Sequence, residues 1–422
     1  MKPNKENYKI FYLEPYVYVF VDQTSTLLYD TSTGSMLDVK NSPDVLRTLK
    51  KTVRKKTLRS VRLSTSLLNH STELAQFIDR VKNEYMGDLL NENHFKKKPA
   101  HLIPYARLQR DIKRLNKSSP EQRGLKLQSY IHELFIFINY HHNLERKKYR
   151  DAHKQFPYTI YKNSNAHLSF SEISKLLSEL PGSALSTINI LGGELFKHPE
   201  INKILDFLNR LKYKKRFYIR LSDWNSYSEK YEVANLENTE IEIFTDSAVD
   251  VEQLDMSLAT LAGKSYIYSF LVESEDNISN VMNVMNKRSI TNFKFRPFFN
   301  GMNLKFFEDN VFTTKEDLRE QKIAEKTLLA RLVMNPVNFG KLYILPDGEV
   351  HSNLNRQCVG NIKIDSPKQI VLKILDQEKS WTRTRKNVMP CKSCRFHALC
   401  PPITNYEYTL GKYNLCDIKK NV

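Results

Sequence analysis

The sequence lacks two features that would place it in common protein classes. It contains no apolar run near the roughly 20 residues that a membrane-spanning helix requires, and Met1 to Tyr8 are polar with no apolar signal core behind them. It also has no cysteine before Cys358 and only five in total, an odd count that argues against a disulfide framework. These absences predict a cytoplasmic protein with no membrane span.

The composition is that of a large and basic globular protein. With 422 residues, of which 41% are hydrophobic, the chain can bury a core of two or three domains. Lys and Arg outnumber Asp and Glu by 65 to 47, a net charge of +18, which favours an anionic partner such as nucleic acid, a membrane surface or an acidic peptide. A lysine-rich solvated surface explains the same excess, because no compact basic motif stands out.

Residues 1–90 have the pattern of a small winged-helix unit. Strand-like alternation predicts a three-stranded meander over residues 16–21, 26–29 and 35–39. Asn41-Ser42-Pro43 then predicts a helix start, and a later helix from about Thr72 to Met86 places Leu74, Phe77, Ile78, Val81 and Tyr85 on one face. The polar, basic segment 91–128 is interpreted as a connector, with a short helix around Leu108 to Leu115.

Strands and helices alternate over residues 129–335, which predicts an α/β fold with six parallel strands. Either a partial (β/α)6 barrel or a doubly wound sheet fits this pattern. Residues 336–422 form a C-terminal module, with a hairpin at 341–351 followed by the cysteine-rich tail. The predicted strands are 134–138, 188–191, 217–219, 241–244, 266–268 and 293–295.

The tail cysteines have the spacing of a metal site. Cys391 and Cys394 form a C-x2-C pair, Cys400 follows after five residues and Cys416 after fifteen more. Four thiolates can hold one zinc ion or one cubic iron–sulfur cluster. A zinc ribbon usually has two short knuckles, so the split spacing favours iron–sulfur. Cys358 stands apart, and we expect it to be a small buried hydrophobe.

This tail resembles the SPASM domain of radical SAM enzymes that modify ribosomally made peptides. The resemblance implies that Cys391, Cys394, Cys400 and Cys416 hold one auxiliary [4Fe-4S] cluster. In the full family pattern a further cysteine, four residues after the third, serves a second cluster, and Thr404 occupies that position here. The resemblance therefore implies a single cluster.

Gly192-Gly193-Glu194 resembles the motif that ends the second barrel strand of radical SAM enzymes and contacts the amino group of S-adenosylmethionine. The cysteine triad that activates this cofactor should follow the first barrel strand, where His142, Arg146 and Tyr149 align with it. None is a thiolate, so the resemblance implies no radical chemistry and no bound S-adenosylmethionine. A metal site at His141 and His142 is a weaker alternative.

The first 90 residues resemble the PqqD-like element that recognises leader peptides, in which the peptide adds a strand beside the third strand and packs on the third helix. The tail from Leu399 to Glu407 resembles that of pseudo-radical-SAM proteins of GG-Bacteroidales peptide systems. The whole resemblance implies a radical-SAM-like barrel and a non-catalytic partner of an active radical SAM maturase. The residues expected to contact the leader peptide are Leu37, Val39, Leu74, Phe77, Ile78 and Val81.

Two other functions remain open from the sequence. A zinc-stabilised winged-helix protein that binds nucleic acid would explain the charge, although the candidate recognition helix carries Glu73, Asp79 and Glu84 beside Arg80 and Lys82. An enzyme that uses S-adenosylmethionine without radicals, through Glu194, is the third possibility.

Overall fold

The computed structural model describes residues 7–54, 59–92, 117, 129–141, 149–180, 183–231 and 233–418. The helix predicted around Leu108 to Leu115 lies outside these residues. The strands are β1 Tyr8–Leu13, β2 Val17–Val21, β3 Ser25–Asp30, β4 Met36–Lys40, β5 Ser60–Ser64, β6 Gly87–Asn91, β7 Glu133–Phe137, β8 Thr187–Leu191, β9 Lys214–Arg220, β10 Thr239–Asp246, β11 Tyr266–Val272, β12 Phe293–Pro297, β13 Lys341–Ile344, β14 Glu349–His351 and β15 Gly360–Asn361. The α-helices are Pro43–Thr52, Thr65–His70, Thr72–Asn83, Phe170–Ser178, Ile201–Asn209, Leu221–Tyr231, Val251–Leu261, Glu275–Lys287, Leu304–Asn310, Lys315–Glu320, Glu325–Arg331, Pro367–Lys373 and Asn405–Leu410.

The N-terminal unit contains two three-stranded sheets. The predicted meander is present as β2-β3-β4, and a second sheet has the order β5-β1-β6. The helix Pro43–Thr52 begins where the proline predicted it, and the Ser42 side chain accepts a hydrogen bond from the Val45 amide. Sequence reasoning missed β1, β5 and β6.

The helix Thr72–Asn83 supplies most of the core of this unit. Leu74, Phe77, Ile78 and Val81 are at most 2% exposed and pack among strand residues that include Leu37 and Val39. Tyr85 does not belong to this face, because the helix ends at Asn83 and Tyr85 has a positive φ of 55° and is 82% exposed. The apolar face expected to receive a peptide is therefore already covered by the unit's own strands.

The large sheet has the mixed α/β architecture that the sequence predicts. It has nine strands in the order β12-β11-β10-β9-β8-β7-β13-β14-β15. Strands β7 to β12 are parallel and adjacent in chain order, with β13 parallel on the other side of β7. A doubly wound sheet reverses its direction of growth next to the first strand, whereas β8 to β12 are added on one side only.

The hairpin β13–β14 extends this same sheet. Because β13 pairs with β7 and β14 pairs with β15, the boundary drawn at residues 335 and 336 does not separate two sheets. None of the described helices combines the length and the apolar content that crossing a lipid bilayer requires.

The two faces of the large sheet are covered in different ways. Alternate strand residues such as Leu134, Ile136, Ile188 and Ile190 pack against the helices that connect the strands. The helix Phe170–Ser178 begins at a capping box, in which the Ser169 and Glu172 side chains bond each other's backbone amides. The helices bury this face and the aromatic core described next buries the other, which explains the nearly continuous apolar runs that predicted these strands.

The opposite face carries a second core that is rich in aromatic side chains. Strand residues Phe135, Phe137, Tyr218 and Phe244 pack there against chain from the segment 149–161. Phe135 stacks on Tyr343 at 4.6 Å, and Phe244 meets Tyr158 edge to face at 5.0 Å. The segment 149–161 therefore fills space over the sheet face that the helices do not cover. It contributes Tyr149, Ala152, Phe156, Tyr158, Ile160 and Tyr161.

Candidate metal centre

The four tail cysteines line one small cavity of about 20 Å³. Cys391 and Cys394 lie on one short turn, because Cys391–Ser393 form a single 3₁₀ turn and the Cys394 amide donates to the Cys391 carbonyl at 2.9 Å. Cys400 ends the next turn, where its amide donates to Phe396 at 3.0 Å. Cys416 comes from further along the chain and pairs with Thr313 through the backbone. The local spacing and one long-range pairing thus bring all four thiols together.

The separation of the sulfur atoms bears on which metal they can hold. Among the described residues, no three of these four sulfurs form a set whose members all lie within 4.8 Å of one another. A tetrahedral zinc ion with Zn–S bonds of about 2.3 Å holds its sulfurs about 3.8 Å apart. A cubic cluster binds each cysteine to a different iron, which keeps the sulfurs further apart. The placement of the four sulfurs around one cavity is therefore compatible with a cubic cluster.

The thiols are placed where a cation is needed to stabilise their charged forms. Burial raises the pKa of Cys391 and raises that of Cys400 to about 12, with Arg385 opposing the shift at both. The other three tail cysteines raise the pKa of Cys400 further. Because thiolates are the metal ligands, metal binding here would release the thiol protons. The bound metal would then neutralise the negative charge of the thiolates, for which Arg385 alone is not sufficient.

Arg385 is the buried cation of this site, and sequence reasoning missed it. Its guanidinium lies 3.6 Å from the Cys391 sulfur and donates to the carbonyls of Pro401 and Tyr413. It also pairs with Glu407, and the two side chains are only 7% and 2% exposed. Burial alone would lower the pKa of Arg385, but Glu407, Cys400 and Cys391 raise it. Arg385 therefore connects the first cysteine to the chain that follows the third.

Thr404, at the position of the second-cluster cysteine, has a structural role. It caps the helix Asn405–Leu410, accepting from the Tyr406 amide and donating to Glu407 at 2.6 Å. At the neighbouring residue Asn405, the side-chain oxygen accepts a hydrogen bond from the side-chain amide of Asn353 at 2.7 Å. The same Asn353 amide also donates to the side-chain oxygen of Asn338 at 3.1 Å. Thr404 is thus engaged in the hydrogen bonds that begin this helix, and its acceptor Glu407 is paired with Arg385.

Gly192 and Gly193 lie directly after β8, but the chain itself approaches them closely. A side-chain carbon at Gly193 would lie 1.9 Å from the backbone nitrogen of His141, and one at Gly192 would lie 2.4 Å from the Asn139 side-chain oxygen. Close packing of the strand ends therefore explains both glycines without a ligand.

Glu194 is surrounded by cationic groups. Its carboxylate pairs with Lys197 at 2.6 Å. Burial would raise the pKa of Glu194, but Lys197, His141 and Arg220 hold it below its ordinary value. Arg220 donates to the Gly193 carbonyl at 3.2 Å, contacts the His141 ring and pairs with Asp223. This arrangement leaves Glu194 poorly suited to bind a ligand ammonium group.

Of the three positions aligned with the catalytic cysteines, His142 and Arg146 lie outside the described residues. Tyr149 is 4% exposed, meets Phe298 edge to face at 5.2 Å and donates to Glu273 at 3.3 Å. His141 is buried beside Tyr161 and Arg220. Tyr149 and His141 are therefore built into the packing at this end of the sheet.

Arg395, between the second and third cysteines, connects the metal centre to the N-terminal unit. It pairs with Asp22 at 2.6 Å and with Asp38 on β4 at 2.8 Å. Next to it, His397 meets Phe20 of β2 edge to face at 5.5 Å. Further residues of the meander, among them Tyr18 and Tyr29, share an apolar cluster with the tail that includes Cys400. The cysteine loop and the meander thus stabilise each other.

This contact gives a prediction about stability. Arg395→Met removes the cation that pairs with the nearly buried Asp22 carboxylate, so we expect the free energy of unfolding at pH 7 to fall by about 2–3 kcal/mol. The loss should be smaller than for a fully buried pair, because the Arg395 side chain is 18% exposed. Burial raises the pKa of Asp22, but Arg395 and the Ser25 and Thr24 amides lower it, and the net result is a pKa below the ordinary value. That stabilisation is present above about pH 4 and is lost as the pH falls through the lowered pKa.

Denaturant unfolding at pH 7 and near pH 3 measures both parts of this expectation. The difference in the free energy of unfolding between Arg395→Met and the unchanged chain should be smaller at the lower pH. Asp22→Asn, alone and combined with Arg395→Met, isolates the coupling between the two side chains. Equal stability of Arg395→Met and the unchanged chain at pH 7 would show that the contact stabilises nothing.

Comparisons with known proteins found similarity among solved structures alone. No protein-family model matches it, and no curated protein matches it. It is similar to the crystal structure of Streptococcus suis SuiB bound to S-adenosylmethionine, with 12% sequence identity and a TM-score of 0.46, covering 98% of this chain and 100% of that chain.

Proposed function

We propose that this chain is a non-catalytic, radical-SAM-like partner protein in ribosomal peptide maturation. It carries one [4Fe-4S] cluster on Cys391, Cys394, Cys400 and Cys416, binds the leader of a precursor peptide and assists an active radical SAM maturase. The observation that carries the proposal is the single cavity lined by these four cysteines. Such a cluster supplies either a redox centre or a structural staple.

The non-catalytic part of the proposal rests on the other end of the large sheet. No cysteine precedes Cys358, so the segment between β7 and β8 has no thiolates to hold a cluster that cleaves S-adenosylmethionine. Aromatic side chains pack over the sheet face there, and Arg220 lies across Gly193. The residues present favour stable packing over cofactor binding.

Peptide binding is proposed at the outer edge of β4, where the Asp38 carbonyl accepts a hydrogen bond from the Arg80 side chain at 3.2 Å. In the described part of the chain, β4 pairs with β3 alone. The Ser35 carbonyl and the Asn41 amide form backbone hydrogen bonds on the β3 side. Because the backbone groups of successive residues in a strand point to opposite sides, the amides of Met36, Asp38 and Lys40 point away from β3. These main-chain groups can pair with an added strand. Leu37, Val39 and the helix residues support β4 from within the core and do not offer their side chains to the peptide.

A proline at this edge should weaken leader binding. Lys40→Pro removes an outward amide, and we expect a loss of affinity of about tenfold, the equivalent of one hydrogen bond near the strong end of its range. Lys40→Ala is the matched control because it removes the same exposed side chain and keeps the amide. Fluorescence anisotropy of a labelled cognate leader on the full chain measures both variants. Unchanged affinity in a folded Lys40→Pro variant would place leader recognition elsewhere.

Nucleic-acid binding has less support than peptide binding. The helix Thr72–Asn83 uses its apolar face within the core, and its remaining positions mix Glu73 and Asp79 with Arg80 and Lys82. A recognition helix normally presents basic and polar groups to a groove. The charge of +18 therefore fits an acidic peptide or an acidic protein partner.

A further inference from the structure

A second group of metal-ligating side chains lies on the edge of the large sheet, outside the tail cavity. Glu349 and His351 are two residues apart on β14, and Cys358 precedes β15, which pairs with β14. Ligand atoms of the three residues all lie within 4.8 Å of one another. Strand alternation puts Glu349 and His351 on the same face, and the turn between β14 and β15 returns Cys358 beside them.

The His351 ring is oriented as metal-binding histidines usually are. Its Nδ1 lies 3.0 Å from the Arg356 carbonyl, which can only accept, so Nδ1 carries the proton and Nε2 has a free lone pair. Nε2 is buried without a hydrogen-bond partner among the described residues and lies 3.7 Å from the Glu349 carboxylate. A backbone carbonyl on the second ring nitrogen is the common support of a histidine ligand.

The carbonyl that orients His351 is itself held in place. The Arg356 side chain pairs with the buried Glu378 carboxylate at 2.9 Å. Ser352 and Ser380 also donate to Glu378, and Ser380 donates to Ser352 at 2.6 Å. The turn that carries Arg356 and Cys358 is therefore fixed before any ion arrives.

From this geometry we infer that Glu349, His351 and Cys358 form a zinc-class metal site that is separate from the tail cysteines. One imidazole nitrogen, one thiolate and one carboxylate suit zinc or cobalt, whereas calcium and magnesium prefer oxygen ligands alone. Glu349 and Cys358 are exposed, so the sequence expectation of a buried Cys358 is wrong. The Cys358 thiol donates to the Gly360 carbonyl at 3.1 Å, a hydrogen bond that the thiolate would give up on binding an ion. Three protein ligands leave the fourth tetrahedral position to water.

Cobalt binding tests this site, with Co²⁺ itself as the probe. The full chain and its Cys358→Ser variant are titrated anaerobically, and bound cobalt is counted after gel filtration. We expect about one ion fewer per chain in the variant, and a loss of the absorption that one thiolate–cobalt bond contributes. Because the result is a difference between two chains with the same tail, it does not depend on what the tail cysteines bind.

Two further variants separate ligation from folding. Glu349→Gln changes an exposed side chain, and His351→Ala, checked by circular dichroism, removes the oriented nitrogen. Each should weaken cobalt binding at this site by at least about tenfold. Glu252→Gln removes an exposed carboxylate from a distant helix and should change nothing. Equal cobalt content in the unchanged chain, Cys358→Ser and His351→Ala would overturn the inference.

Discussion

Cys394→Ala should remove most of the iron that the anaerobically reconstituted chain binds. The unchanged chain should hold about four irons and four sulfides, because four thiolates complete one cubic cluster. Cys394 shares its turn with Cys391 and lines the same cavity, so its loss leaves one iron without a protein ligand. Iron and sulfide analysis after gel filtration measures the change.

Cys358→Ser is the matched control, since Cys358 is exposed and does not belong to the tail cavity. It should keep all four sulfides and the irons that they bridge, because the separate mononuclear site inferred at Cys358 holds no sulfide. Stoichiometric zinc with no uptake of iron by the unchanged chain would contradict the cluster and support a structural zinc site. Retention of four irons in Cys394→Ala would mean that the cluster lies elsewhere.

Omitting this chain should strongly reduce modification of the precursor peptide by the active maturase. If the chain binds a peptide at β4 and a cluster in its tail but performs no radical chemistry, as proposed, then its contribution is to bind the peptide and the maturase. We therefore expect the two proteins to co-purify when expressed together, with an interface of at least about 1,000 Å² if the complex is stable. Mass spectrometry of the precursor, with and without this chain, measures the effect.

The Lys40→Pro variant sharpens this experiment. If the chain acts by holding the leader, Lys40→Pro should lower modification while Lys40→Ala leaves it unchanged, and both should still co-purify with the maturase. Full modification in the absence of this chain, together with no co-purification, would show that it is no partner of that enzyme.

The strands of the large sheet could be predicted because both of their faces are buried. Runs such as Ile188–Leu191 therefore stand out against the polar turns around them. Strands β5 and β6 could not, because each has only two large apolar residues in five, and β1 has no partners besides these two strands among the described residues. Tyr8 pairs with Ser64 and Lys9 pairs with Asn91, and no local pattern specifies such pairings.

The candidate site, like the strands, could be predicted from the sequence only in part. Close cysteine spacing indicated that Cys391, Cys394 and Cys400 lie together, whereas Arg385 and Arg395 depend on contacts with Glu407, Asp22 and Asp38 across the fold. The apolar face of the helix Thr72–Asn83 shows the opposite problem. Apolar periodicity indicates burial against something, and here the covering surface is the unit's own pair of sheets rather than a peptide.

The most direct test of the account is whether this chain alone produces 5′-deoxyadenosine. The reconstituted protein is incubated anaerobically with S-adenosylmethionine and a strong reductant, and the product is counted by chromatography and mass spectrometry. We predict no 5′-deoxyadenosine above that of the Cys394→Ala variant, because the segment between β7 and β8 contains no cysteine that could hold a cofactor-cleaving cluster. Several turnovers per chain, lost in Cys394→Ala, would contradict it and make the tail cluster the catalytic one.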